Sequence, residues 1–283
     1  NGASHAVEHH LAHLTAAFYV SPFDEAVTVS LDGFGDFAST AWGVGRGNDI
    51  RIAERVYFPH SLGIFYQAIT QFLGFPHYGD EYKVMGLAPY GRPTFLSDMR
   101  DVVMLKDNGG FALNLKYFRH HDQHVPYQWE NGAPVFGELF SPELEGLLGP
   151  RRDKDSPLTD RERDIARSAQ TLYEEVFFHV IGTAQKEFGL TDIALAGGCA
   201  NNSVANGKIR RTTPFHRVYV HAAPGDASGA IGAAFAVWRQ QGGARAFVMD
   251  HAYWGPSFDD GAFTALLVQN EQHLRASGCT WTR

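Results

Sequence analysis

Asp192-Ile193-Ala194-Leu195-Ala196-Gly197-Gly198 is a short apolar run halted by a glycine pair, and Asn202 then opens an expected helix to about Ile209. The pattern returns at Arg217-Val218-Tyr219-Val220-His221, which passes through Ala222-Ala223-Pro224-Gly225-Asp226 into a small-residue helix from Ser228 through Gly229, Ala230, Gly232 and Ala233 to Trp238. Strand, glycine turn and helix, twice in succession, predict an α/β protein with parallel strands and ligand groups at their carboxyl ends. Upstream, Thr159 is placed to cap a long helix that runs through Phe188, with Ile165, Leu172, Val176, Val180 and Ala184 along one side and Gly189 closing it.

Toward the amino end the same logic gives a helix over residues 9 to 20 and a strand over Ala26–Leu31 that meets an Asp32 turn. A hairpin follows, with arms Thr40–Val44 and Ile50–Tyr57 joined by Gly47-Asn48-Asp49. Leu62, Phe65, Ile69 and Phe72 recur at helical spacing between Ser61 and Leu73, with Gly74 as the stop. Residues 76 to 92 read as a loop rich in glycine, charge and aromatics, of the type that carries function. Residues 95 to 157 read as an inserted, irregular segment that faces substrate or caps the site; its His120, His121 and His124 are expected in a solvated loop.

The chain has 283 residues and a formal net charge of -7, which argues against nucleic acid as a partner. Two cysteines, Cys199 and Cys279, give no disulfide framework and suit a reducing, cytoplasmic setting. No apolar run nears the roughly 20 residues of a membrane span, and no secretory signal opens the chain. It starts Asn1-Gly2-Ala3 without Met, so a piece of a longer protein is expected. No short-period repeat is present.

His9 and His13 in Glu8-His9-His10-Leu11-Ala12-His13 lie four apart, so both project from one helix face at the spacing of a shared metal ion, although surface helices carry histidines as well. Three glycine turns follow strands: Asp32-Gly33-Phe34-Gly35, Gly197-Gly198-Cys199-Ala200-Asn201-Asn202 and Pro224-Gly225-Asp226-Ala227-Ser228. Glycine leaves backbone N–H groups open to phosphate, and the three together suggest a nucleotide. Its phosphates are expected near Gly33, Gly35 and Ser228, and its nucleoside near Gly197, Gly198 and Asn202. Asp226 is an N-cap on one reading. Beside His9 and His13 it completes a two-histidine, one-carboxylate set suited to Fe(II) or another divalent ion such as Zn(II). Cys199 reads as packing, not as a nucleophile.

Glu8-His9-His10-Leu11-Ala12-His13, Asp32-Gly33-Phe34-Gly35-Asp36, Ser61-Leu62-Gly63-Ile64-Phe65-Tyr66, Gly79-Asp80-Glu81-Tyr82-Lys83-Val84-Met85-Gly86-Leu87-Ala88-Pro89-Tyr90-Gly91, the stretch Leu195 to Lys208 and Ala223-Pro224-Gly225-Asp226 occur in that order. With these motifs, residues 5 to 256 resemble the O-carbamoyltransferases of nodulation-factor and antibiotic biosynthesis. The resemblance implies an α/β domain of the actin/Hsp70-like ATPase fold, related to the tRNA threonylcarbamoyl transferases and followed by a YrdC-like domain. It implies that the YrdC-like part makes carbamoyl-adenylate from carbamoyl phosphate and ATP, and that the first domain passes the carbamoyl group to a hydroxyl. It implies metal ligands at His9, His13 and Asp226.

Residues 1–250 are thus expected to form the transfer domain without its opening strands, and 251–283 the start of a linker to the YrdC-like domain. The missing opening segment normally brings a nucleotide-facing aspartate, and Asn201 stands where many relatives have Leu. Asp32 is a candidate for orienting or deprotonating the acceptor hydroxyl, for an outer metal contact, or for stabilising its turn. Lys83 is a candidate for neutralising phosphate, or a solvated lysine. The partners expected are carbamoyl phosphate, ATP and a hydroxyl-bearing small molecule, without nucleic acid or membrane and with a homodimer allowed. The alternatives are a tRNA threonylcarbamoyl transferase-like enzyme and a non-catalytic, actin-like nucleotide-binding module.

Overall fold

From the amino end, α1 (His9–Tyr19) leads into an antiparallel meander of β1 (Glu25–Gly35), β2 (Ala38–Arg46) and β3 (Asp49–Tyr57). The computed structural model describes residues 2–130 and 133–282. α2 (Leu62–Phe72) starts at Ser61, whose hydroxyl accepts from the Ile64 N–H at 3.1 Å. Then come α3 (Glu81–Leu87), a 3₁₀ turn at Ala88–Tyr90, α4 (Leu96–Met99), the hairpins β4 (Val103–Leu105) with β5 (Phe111–Leu113) and β6 (Tyr127–Glu130) with β7 (Ala133–Phe136), and α5 (Pro142–Leu148). α6 (Asp160–Phe188) starts after Thr159 and ends at Gly189 in the left-handed region, as its sequence predicts, and Glu162 completes a capping box with Thr159. β8 (Asp192–Ala196), α7 (Ser203–Asn206), α8 (Ile209–Thr212), β9 (Arg217–Val220) and α9 (Asp226–Gln240) complete this part.

The strands form one sheet in the order β3-β2-β1-β8-β9. β1 pairs antiparallel with β2 but parallel with β8, and β8 is parallel to β9, so the expected α/β sheet is present. Alternation along the central strands explains which helices cover which face. Val27, Val29, Leu31, Ile193 and Leu195 enter the large core shared with α2 and α6. Thr28, Ser30, Ala194 and Ala196 face the other way, toward α1: Thr28 Oγ1 donates to Leu14 O at 3.4 Å, and Ala194 and Ala196 cluster with Ala17. Small side chains on that face let α1 lie close to the sheet. α9 then packs on α1 at Gly232, where a Cβ would stand 1.8 Å from Ala12 O. Arg245 locks the end of α1, donating to the carbonyl oxygens of Tyr19, Ser21 and Phe23.

Several expectations are corrected. Asp32-Gly33-Phe34-Gly35 is not a turn: β1 continues through it with an irregular register between Leu31 and Gly35, and the reversal falls at Asp36 and Phe37, whose φ values are 48° and 64°. The stretch 76 to 92 contains α3, and the helix expected from Asn202 to Ile209 is broken into short turns. Asn202 caps α7 through its side chain, and α7 stops at Gly207. The 95–157 segment is not a cap laid over the surface. Its Phe111, Leu113, Phe118, Leu139, Phe140 and Leu148 are buried in the same core as α2 and α6, in runs too short to show a period. Residues 131 and 132 of that segment lie outside the described residues. His120 is not solvated: its ring packs near Phe34, Phe58 and Phe118, and its Nε2 lies 2.8 Å from Pro59 O, whereas His124 is exposed.

By contacts the chain divides into Asn1–Asp250 and His251–Arg283. The second unit holds α10 (Asp260–Gln269) and α11 (Glu271–Ala276), neither with a buried residue, and Trp254 stacks on His251. Among the described residues no helix is long and apolar enough to cross a membrane.

Candidate metal centre and its cleft

Glu8 caps α1, its carboxylate accepting from the His10 and Leu11 N–H groups, so His9 and His13 emerge one turn apart at the helix start. Their Nε2 atoms stand 3.1 Å apart. Asp32 follows Leu31 at the carboxyl end of the paired part of β1 and sets Oδ2 2.9 Å from both Nε2 atoms. Its Oδ1 accepts from the N–H groups of Gly33, at 2.8 Å, and Gly198, at 3.1 Å. Asp226, the first residue of α9, points Oδ1 at the same place, 3.8 Å from His9 and 3.6 Å from His13.

One ligand atom from each of these four residues lies within 4.8 Å of all the others. A tetrahedral ion with bonds of about 2.1 Å has ligand–ligand edges of about 3.4 Å, and the five distances above bracket that value. Two imidazoles and two carboxylates form a donor set for Zn(II) or Fe(II). The cluster thus fits an ion without rearrangement of the backbone. His10, left out of the expected set, turns away: its Nδ1 lies 2.9 Å from Ser30 Oγ on the sheet.

Charge balance supports the same fit. Burial disfavours a charged His13, but the facing carboxylates of Asp226 and Asp32 outweigh it and raise the imidazole to about 9. Burial likewise opposes ionisation of Asp32, yet its contacts with His13 and His9 hold it well below the usual carboxylate range. A proton on His13 therefore occupies the position an ion would take. Divalent-ion affinity is expected to rise about tenfold per pH unit until pH approaches 9, because binding must displace that proton. Calorimetry in buffers of different ionisation enthalpy measures the proton released.

The cluster sits beside a cleft of about 570 Å³. Its walls are Tyr66, Tyr78, Tyr82, Tyr173 and Met85, with Gln67, Asn201 and Asn202 as amides and Asp32, Glu81 and Asp226 as carboxylates. None of the described lining residues is Lys or Arg. Asn202 is held from below, since Gln170 in mid-α6 accepts from Tyr66 Oη at 2.7 Å and from Asn202 Nδ2 at 3.0 Å. Gln170→Leu strands both buried partners and is expected to lower stability by about 1–3 kcal/mol, measured by denaturant unfolding.

The expected nucleotide contacts fare unevenly. Gly33, Gly198 and Asn202 line the cleft, but the Gly33 and Gly198 N–H groups already bind Asp32, and the Gly197 N–H donates to Pro224 O at 2.7 Å. Gly197 is glycine for another reason: its φ is +88° and a Cβ would meet Leu31 O at 2.1 Å. Gly35 makes room for the His9 ring, 2.0 Å from where its Cβ would be. Ser228 is fully buried, with Oγ donating to Gly225 O at 2.9 Å, so it is not a phosphate donor. Lys83 is outside the lining, paired with Asp80 at 2.7 Å. Burial pushes the Cys199 thiol up, in keeping with packing and not with nucleophilicity. Sequence reading allowed Asp32 an outer metal contact, and the structure makes it an equal member of the cluster. The available signal was its place just past the apolar run Ala26–Leu31, near the carboxyl edge of the parallel pairing with β8, where such sheets present ligands.

The carbamoyltransferase N-terminus family model matches residues 3–235. The chain belongs to that family. It is 43% identical over 234 residues to the uncharacterized protein sll1178 of Synechocystis sp., a match that covers 82% of this chain and 36% of the relative. It is 33% identical over 276 residues to the nodulation protein NolNO of Sinorhizobium fredii, covering 96% and 37% respectively. Of solved structures, T. kodakarensis HypF aligns with a TM-score of 0.42 and 18% identity, over 83% of this chain and 37% of that one. The chain spans little more than a third of the length of these curated relatives.

Proposed function

We propose that the chain is the carbamoyl-transfer part of a longer O-carbamoyltransferase, passing a carbamoyl group from carbamoyl-adenylate to the hydroxyl of a small-molecule acceptor. The convergence of His9, His13, Asp32 and Asp226 beside the cleft, in a chain of this family, carries the reading. On this reading the sheet is one lobe of an actin/Hsp70-like ATPase domain, and a YrdC-like domain of the full-length protein supplies carbamoyl-adenylate from carbamoyl phosphate and ATP.

A divalent ion held by the four residues supplies Lewis acidity toward the carbamoyl and phosphate oxygens. The protein's own groups do the positioning. Asp32 fixes both imidazoles through one oxygen while the Gly33 and Gly198 N–H groups fix the other, so the cluster is set before any ligand arrives. Among the described residues of the lining none is lysine or arginine, so an ion held by the cluster would be the positive charge facing the leaving adenylate. The tyrosine rings of Tyr66, Tyr78, Tyr82 and Tyr173 give the reacting groups an aromatic wall to lie against.

The test is carbamoyl phosphate-dependent AMP release by the full-length protein, with ion content measured alongside. Release that a chelator abolishes and Fe(II) or Zn(II) restores is the expected result. AMP release unaffected by removal of all bound ions overturns the role given to the cluster.

A further inference from the structure

Transfer to an alcohol needs a base, because a hydroxyl is a weak nucleophile near neutral pH and must lose its proton as its oxygen bonds to carbon. Three carboxylates line the cleft. Asp32, the sequence candidate for this task, is spent: one oxygen lies against His9 and His13, and the other accepts from Gly33 and Gly198. Asp226 turns Oδ1 to the same two histidines.

Glu81 is different. It opens α3 within the Glu81–Gly91 stretch and lines the cleft between Tyr82 and Gly79. Among the described residues no ion pair or side-chain hydrogen bond engages its carboxylate, and only the backbone N–H groups of Glu81 itself and Gly79 lie beside it. Burial pushes its carboxyl up, and the neighbouring Asp80 charge adds to this, so it is a stronger base than a solvated glutamate. Two other proton-bearing groups of the wall are already engaged. Tyr66 donates to Gln170 and Tyr173 to Cys199 O, and burial pushes both phenols up.

We propose that Glu81 is the general base that takes the proton of the acceptor hydroxyl. This rests on the carbamoyl-transfer reading above. The acceptor oxygen forms a bond to the carbamoyl carbon while its proton passes to the Glu81 carboxylate. The bond from that carbon to the adenylate oxygen breaks, and AMP leaves with the electron pair. Glu81 then returns the proton to solvent.

The full-length protein, loaded with a divalent ion and given carbamoyl phosphate and ATP, tests this with ethanol and trifluoroethanol as probe acceptors and water as the background one. Glu81→Gln is expected to lower AMP release with ethanol and with water by about a hundredfold or more, but with the more acidic trifluoroethanol by less than about tenfold. Ion binding and melting temperature stay at wild-type values, and Glu81→Asp falls in between. The proposal is overturned if Glu81→Gln keeps ethanol activity within about threefold, or if it loses both alcohols equally, as a purely structural residue would. Failure of the wild-type protein to release AMP with either alcohol or with water overturns carbamoyl transfer itself, a separate outcome.

Discussion

Asp32→Asn is expected to weaken divalent-ion binding by more than about a hundredfold, the upper end of what loss of an outer hydrogen bond to a ligand costs, since here the ligand oxygen itself is replaced. The substitution is nearly isosteric. Asn keeps an oxygen able to accept from Gly33 and Gly198, so the link between the two strand ends survives. What changes is the atom facing His9 and His13, from a charged acceptor 2.9 Å from both to an amide NH₂ that meets two imidazoles as a donor. Titration calorimetry with Zn(II), beside thermal melting, separates the outcomes. Wild-type affinity in Asp32→Asn removes Asp32 from the ligand set. Collapse of the fold would mean that the charge facing His9 and His13 is needed for folding itself.

Gly232→Ala is the second large effect, and it lies away from the cluster. A methyl group there would be 1.8 Å from Ala12 O and 3.0 Å from Ala16 N, both backbone atoms of α1, so the helices must separate. Overpacking of this type costs about 1–3 kcal/mol, more than the roughly 1 kcal/mol that Ala gains over Gly in a helix. Because α1 carries His9 and His13 and α9 carries Asp226, the separation also pulls Asp226 from the histidines, and ion affinity falls without any ligand having been touched. Gly229→Ala, one turn earlier in α9, meets nothing within 4 Å and is the control. It is expected to leave affinity unchanged and stability equal or higher. Denaturant unfolding and ion titration of the two variants decide the matter; equal behaviour would show that the α1–α9 contact does not set the ligand geometry.

How much of this was legible from the residues depends on whether the signal was local. The cap at Thr159, the apolar side of α6 and the stop at Gly189 are all written within one helix, and they were readable to the residue. His9 and His13 were readable as a pair because four residues of helix dictate their separation. The convergence of Asp226 on them was implied by the family resemblance and not by any local pattern, since it depends on how α9 crosses α1. Asp32-Gly33-Phe34-Gly35 looks like a turn because glycine marks turns, but here Gly35 admits the His9 ring and the strand continues. That requirement comes from a residue 26 positions away and leaves no local trace. Ser228 and Lys83 were misplaced for a related reason: a hydroxyl at a helix start and a lysine in a polar loop are generic phosphate signals, and only packing shows that one is buried and the other paired with Asp80.

The four members of the cluster differ sharply in their access to water. The His13 side chain is 1% exposed and that of Asp32 13%, whereas that of Asp226 is 74% exposed. Asp226 is therefore the open side of the centre. An ion held by the four residues would meet water on the Asp226 side, with His9, His13 and Asp32 set further in. A centre open on that side would equilibrate with the ions around it, so the metal found in the isolated protein would reflect supply together with the preference of the ligand set.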